Sequence, residues 1–126
     1  MKKKLIKILL IEDNPGDEKS IREMLKEADD NLYEIVHTPR LDDGIKTIVG
    51  DGFDLILLDL CLPDSEGMDT FNVMKYNARD IPIIILTGIK KDIFAVSAIG
   101  RGAQDYLVKD EIDSKLLANS IKKAVY

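Results

Sequence analysis

The sequence predicts an α/β fold of the doubly wound kind, five parallel strands alternating with five helices as (βα)5, with residues 1–126 forming one domain. Three observations carry that expectation. Five short apolar runs recur along the chain, at 5–11, 32–36, 53–60, 81–86 and 106–108. Two of them, FDLILLDL and IPIIIL, are almost unbroken, the mark of strands covered on both faces. Between the runs, apolar residues fall three and four apart, the period of a helix.

Taken in order, the first run closes on Glu12-Asp13. The first helix carries Ile21, Met24, Leu25 and Ala28 on one face, and Asn14-Pro15 supplies its N-cap and first residue. The second run leads to His37 at an edge of the sheet, and Leu41, Ile45, Ile48 and Val49 mark the second helix. Asp59 closes the third run, and Met68, Phe71 and Met74 mark the helix after it. The fourth run ends in Thr87-Gly88. Ile93, Val96 and Ile99, with Ala95 and Ala98, mark the next helix, and Gly102 sits where a left-handed C′ residue would end it. The last run leads to Lys109. Leu116, Leu117, Ser120, Ile121 and Ala124 mark the final helix.

Composition narrows the function classes. Lys and Arg total 18 against 23 Asp and Glu, a formal charge of −5, which argues against direct nucleic-acid binding because phosphate neutralisation needs a basic face. No apolar stretch approaches the roughly 20 residues that cross a bilayer, so no membrane partner is expected. The apolar run after Lys2-Lys3-Lys4 is broken by Lys7 and lacks a cleavage site. A single cysteine, Cys61, leaves no internal disulfide and suits a reducing compartment; the expected location is cytoplasmic.

In open sheets of this kind, ligands bind beyond the carboxyl ends of the strands, where strand order reverses. Glu12, Asp13, Asp59, Thr87 and Lys109 all fall at such ends. With the first and third strands adjacent, three carboxylates converge and repel one another. A hard divalent cation relieves this, and Mg²⁺ suits a few carboxylates, several waters and a phosphate oxygen. Lys109 and Thr87 then supply a cation and a donor on the far side, and Gly88 leaves room. The set suits phosphoryl transfer to a carboxylate nucleophile. His37 reads as a surface histidine, and Cys61, with no second thiol or nearby histidine, does not read as a metal-thiolate ligand.

Glu12-Asp13, the 59–67 run DLCLPDSEG, Thr87-Gly88 and the 102–109 run GAQDYLVK, in that order and spacing, resemble the receiver domain of two-component response regulators over essentially the whole chain. The resemblance implies a flavodoxin-like strand order, 2-1-3-4-5. It also implies a phosphorylation-activated signalling switch. Asp59 would be the phosphoacceptor, supplied by a sensor histidine kinase or phosphotransfer protein. Mg²⁺ would be held by Asp13, by Glu12 mainly through metal-bound water, by Asp59 and by the main-chain carbonyl of Cys61. Lys109 would pair with the phosphoryl group; Thr87 would swing toward it and Tyr106 would follow inward. Cys61 and Ile89 would flank the path of a hydrolytic water and orient it poorly, giving a long-lived phospho-form. A downstream protein effector would dock on the fourth helix, fifth strand and fifth helix, a face that is also a candidate homodimer surface. Such a chain promotes its own phosphorylation and dephosphorylation and is otherwise no enzyme. One departure is Asp110 after Lys109, where the family usually has proline. A trans Lys109–Asp110 bond and a shifted loop are expected, with the ammonium still facing Asp59.

Three other readings compete. A flavodoxin-like electron carrier would place an FMN phosphate against Glu12-Asp13, which would repel it. A phosphohydrolase with an aspartyl-phosphate intermediate would need a second acid where Cys61 stands. A receiver-shaped interaction module would need no phosphorylation, yet every site position here is filled.

Overall fold

In the computed structural model, residues 5–30, 32–50, 52–90 and 92–126 are described. The chain runs β1 (Ile6–Ile11), α1 (Pro15–Ala28), β2 (Tyr33–Thr38), α2 (Leu41–Ile48), β3 (Leu55–Asp59), β4 (Cys61–Leu62), β5 (Ser65–Glu66), α3 (Met68–Ala78), β6 (Ile83–Thr87), α4 (Ile93–Gly100), β7 (Asp105–Val108) and α5 (Ser114–Val125). The main sheet is parallel throughout, in the order β2-β1-β3-β6-β7. Without the small antiparallel hairpin β4–β5, this is the expected order 2-1-3-4-5. The strands of that hairpin are two residues each, too short to show alternation in the sequence.

Side chains alternate across a strand, and the two cores follow that alternation. Ile6, Ile8 and Leu10 of β1, Leu55 and Leu57 of β3, Ile84 and Leu86 of β6 and Leu107 of β7 pack with Ile21 and Leu25 of α1 and Leu117 and Ile121 of α5. Leu9, Ile11, Ile56, Leu58, Ile83 and Ile85 pack on the other face with α2, α3 and α4, through Leu41, Ile48, Phe71, Met74, Ala95 and Ala98. The unbroken apolar runs thus serve two cores at once. The same parity decides which face each strand-end side chain serves.

Local signals hold at several ends. Asn14 Oδ1 accepts from the amides of Gly16 (2.9 Å) and Asp17 (3.1 Å), with Pro15 opening α1. Gly102, at φ 108°, ends α4 in a Schellman motif: Ala103 N–H donates to Ala98 O and Gly102 N–H to Ile99 O. Some expectations need correction: Ala28 of α1 and Leu116 of α5 are exposed. Val49 lies past the end of α2 and is exposed. In α4 the inward face is Ala95 and Ala98, while Ile93, Val96 and Ile99 face outward. The periodicity was helical, but small side chains let this short helix sit close to the sheet and leave its larger ones on the outer side.

Candidate functional site

The ends of β1, β3 and β6 and the start of the loop after β7 open on one cleft of about 1030 Å³. Parity carries Glu12, Asp59 and Lys109 to the α1 side of the sheet, in step with Leu10, Leu57 and Leu107. Lys109 is held by its own amide, which donates to Thr87 O at 2.7 Å. Its ammonium then meets Asp59 Oδ2 at 2.8 Å, Asp17 Oδ2 at 2.9 Å and Glu12 Oε1 at 2.5 Å. Asp59 Oδ1 accepts from the Cys61 amide at 2.8 Å. The described residues contain no cis peptide bond, so the 109–110 bond is trans and the ammonium reaches Asp59 as expected.

The charges in this cleft are out of balance. Burial, then the nearby Asp59, pushes the Glu12 carboxyl up to about 7, and Lys109 only partly opposes the shift. For Lys109, burial works against the charge. Hydrogen bonds to Asp59, Glu12 and Asp17 outweigh it and hold the ammonium above the usual lysine range. Glu12, Asp13 and Asp59 each present an oxygen within 4.8 Å of the others. Glu12 Oε1 is buried, and no hydrogen-bond donor is directed at it besides the ion pair. Three hard oxygen donors with unrelieved charge fit a small divalent cation, and Mg²⁺ in particular.

The opposite parity governs Thr87, which follows Ile83 and Ile85 toward α4. Its hydroxyl donates to Asp92 Oδ2 at 2.7 Å and accepts from the Ile89 amide at 3.1 Å. Asp92 is buried and caps α4, its Oδ1 accepting from Phe94 N and Ala95 N. The Thr87 side chain is therefore buried and engaged. Tyr106, on the same side, packs half-buried against the α4-side core and does not line the cleft. Cys61 and Ile89 both line it and are exposed. A Cβ added at Gly88 would enter open space.

Asp17, Asp64 and Asp92 also belong to the site and its supports, and no motif in the sequence marks these roles. Asp17 lies in the first turn of α1, where an acidic residue already has a helix-dipole reason to be. Asp64, in the β4–β5 turn, accepts from the amides of Leu41 (2.9 Å) and Asp42 (3.0 Å), capping α2, whose own Arg40 offers no side-chain cap. Gly67 ends the hairpin at φ 65°, a conformation that favours glycine, and its amide donates to Leu60 O. His37 is no free surface histidine: Nε2 is 2.6 Å from the Glu12 carbonyl oxygen and Nδ1 is 3.3 Å from Glu18 Oε2.

The sequence profile of the response regulator receiver domain matches residues 8–122. The chain belongs to the response regulator receiver domain family. Among curated relatives, the cell cycle response regulator CtrA of Brucella ovis is 34% identical over 90% of this chain and 47% of its own length. The chain thus spans about half the length of the curated relatives it matches. A response regulator receiver domain protein from Clostridium thermocellum superposes with TM-score 0.82 at 26% identity, covering 96% of this chain and 94% of that one. The receiver domain of a sensor histidine kinase from Pseudomonas aeruginosa, solved with a magnesium ion coordinated in its active site cleft, gives TM-score 0.78 at 26% identity over 96% and 98% of the two chains. As a receiver domain of two-component systems, the chain has phosphorylation-dependent switching as its general function. No helix among the described residues is long and apolar enough to cross a membrane.

Proposed function

We propose that Asp59 accepts a phosphoryl group from a phosphohistidine of a sensor kinase or phosphotransfer protein, and that the resulting charge resets Thr87 and Tyr106. The observation that carries this is the Lys109 ammonium, 2.8 Å from Asp59 Oδ2, beside the three-carboxylate cluster. An Asp59 oxygen attacks phosphorus as the P–N bond to the donor imidazole breaks, and the imidazole nitrogen leaves with that electron pair. Lys109 faces the charge that spreads over the equatorial oxygens in this transfer. Glu12, Asp13, Asp59 and the Cys61 carbonyl would hold Mg²⁺, which supplies further neutralisation of that charge. The chain is the acceptor and acts on no separate substrate.

Thr87 now bonds to Asp92 on the α4 side. To reach a phosphoryl group its hydroxyl must leave Asp92, and a cap of α4 then loses its partner. Phosphorylation is thereby tied to the helix that exposes Ile93, Val96 and Ile99, an apolar stripe suited to a protein effector or a second copy. Exposed Cys61 and Ile89 at the cleft support slow loss of the group, since neither side chain orients a water well. Mg²⁺ with a small acyl phosphate should add one phosphoryl mass to the protein, and EDTA should prevent it. No gain in mass, or a gain indifferent to EDTA, would refute the reading.

A further inference from the structure

Asp17 has no part in phosphoryl acceptance as set out above, yet it takes one of the three hydrogens of the Lys109 ammonium. Asp59 takes another at 2.8 Å, and Glu12 meets the ammonium at 2.5 Å. Two hydrogen bonds and one close ion pair thus crowd the ammonium. A phosphoryl group on Asp59 adds a charge of about −1.5 to −2 and three strong acceptor oxygens, and needs that same ammonium. Phosphorylation removes the Asp59 carboxylate as an acceptor, and a phosphoryl group that draws on more than the one hydrogen so freed must displace a second carboxylate. The Glu12 side chain is 0% exposed and cannot turn to water, and Asp59 carries the group itself. Asp17 is 37% exposed, on the outer turn of α1, and water can replace its lysine partner at little cost.

We propose that Asp17 is a positioning residue that occupies Lys109 in the unphosphorylated state and competes with the phosphoryl group for it, so that phosphorylation frees the first turn of α1. The alternative, that Asp17 merely orients Lys109 toward Asp59, has the opposite sign. If Asp17 orients, its loss weakens phosphoryl binding; if it competes, its loss strengthens binding.

The inference rests on phosphoryl acceptance at Asp59, and one titration separates the two. Beryllofluoride, a phosphoryl mimic, is titrated at saturating Mg²⁺ into wild type, Asp17→Asn and Asp17→Glu, with Mg²⁺ alone titrated in parallel. Asp17→Asn keeps the shape of the side chain, and the Asn14 cap bonds only to the amides of Gly16 and Asp17, so α1 should be retained. We expect Asp17→Asn to bind beryllofluoride about two- to five-fold more tightly, the range of a partly exposed ion pair. Its Mg²⁺ affinity should not rise, because a negative charge has been removed. Asp17→Glu should return beryllofluoride binding toward wild type. A purely structural role would leave beryllofluoride binding unchanged or weaker, and either result would overturn the proposal. Should Asp17→Asn not fold, Asp17→Ala faces the same criterion. Absence of beryllofluoride binding in wild type would instead sink the phosphoacceptor reading and this inference with it.

Discussion

Lys109→Ala should cost stability, not only reactivity, and the cost should depend on pH and on Mg²⁺. The ammonium is the one cation meeting Glu12, Asp17 and Asp59 among the described residues. Removing one partner of a well-buried ion pair costs about 3–5 kcal/mol. Two features lower that figure here: Asp17 can turn to water, and Glu12, already at about 7, can take up a proton. A loss of about 2 kcal/mol near neutral pH follows, or about 8 °C in melting temperature for a domain of this size. The sign of the pH effect is fixed by Glu12. Its folded pKa lies above the ordinary 4.5, so ionising it penalises the folded state increasingly from pH 4.5 up to about 7. Without the ammonium that penalty is larger and extends to higher pH, so the gap between wild type and variant should widen as pH rises. Mg²⁺ should narrow it, because it binds the folded form and binds more tightly to a carboxylate cluster that has lost its ammonium. Urea unfolding of both proteins, in mildly acidic and mildly alkaline buffer, with and without Mg²⁺, measures all three effects. A variant as stable as wild type, or a loss unmoved by pH and Mg²⁺, would refute the charge account of the cleft.

Asp92→Ala should lose about 1–2 kcal/mol, because the amides of Phe94 and Ala95 lose their cap. Amide exchange should show the loss concentrated at the start of α4. Asp64→Ala should cost about 1 kcal/mol in urea unfolding, with faster exchange at Leu41 and Asp42, although Asp64 lies more than twenty residues away in sequence. Mg²⁺ affinity, followed by calorimetry, should rise with pH and level off above about 7, as Glu12 gives up its proton. A flat profile across that range would separate Glu12 from the metal.

The fold was readable because the chain states it twice. Apolar runs such as 53–60 and 81–86 call for burial on both faces, and the helices between them supply the cover. Strand-end residues were readable as a set for the same reason: once the runs are strands, Glu12, Asp59, Thr87 and Lys109 share an edge. Their division between two sides of the sheet follows from parity with Leu57, Ile85 and Leu107, and was available in the sequence. Their partners were not. Asp17, Asp64 and Asp92 look like ordinary polar residues of helix starts and turns. Their roles depend on where neighbouring helices sit, and no local period encodes that. His37 was misjudged on the same ground, since its partners Glu12 and Glu18 come from β1's end and from α1. In α4 the period was present, but Ala95 and Ala98 decide how closely the helix approaches, and hydrophobicity alone points to the larger residues.

If Asp59 is the phosphoacceptor, the added group can be located on its side chain. The protein is labelled with an acyl phosphate in Mg²⁺ and reduced with borohydride, which converts an acyl phosphate to an alcohol. Peptide mapping then finds the altered residue. One modified side chain is expected, Asp59, and no modification in Asp59→Asn. Reduction at Glu12, Asp13 or Asp17 in place of Asp59, or undiminished labelling of Asp59→Asn, would contradict it.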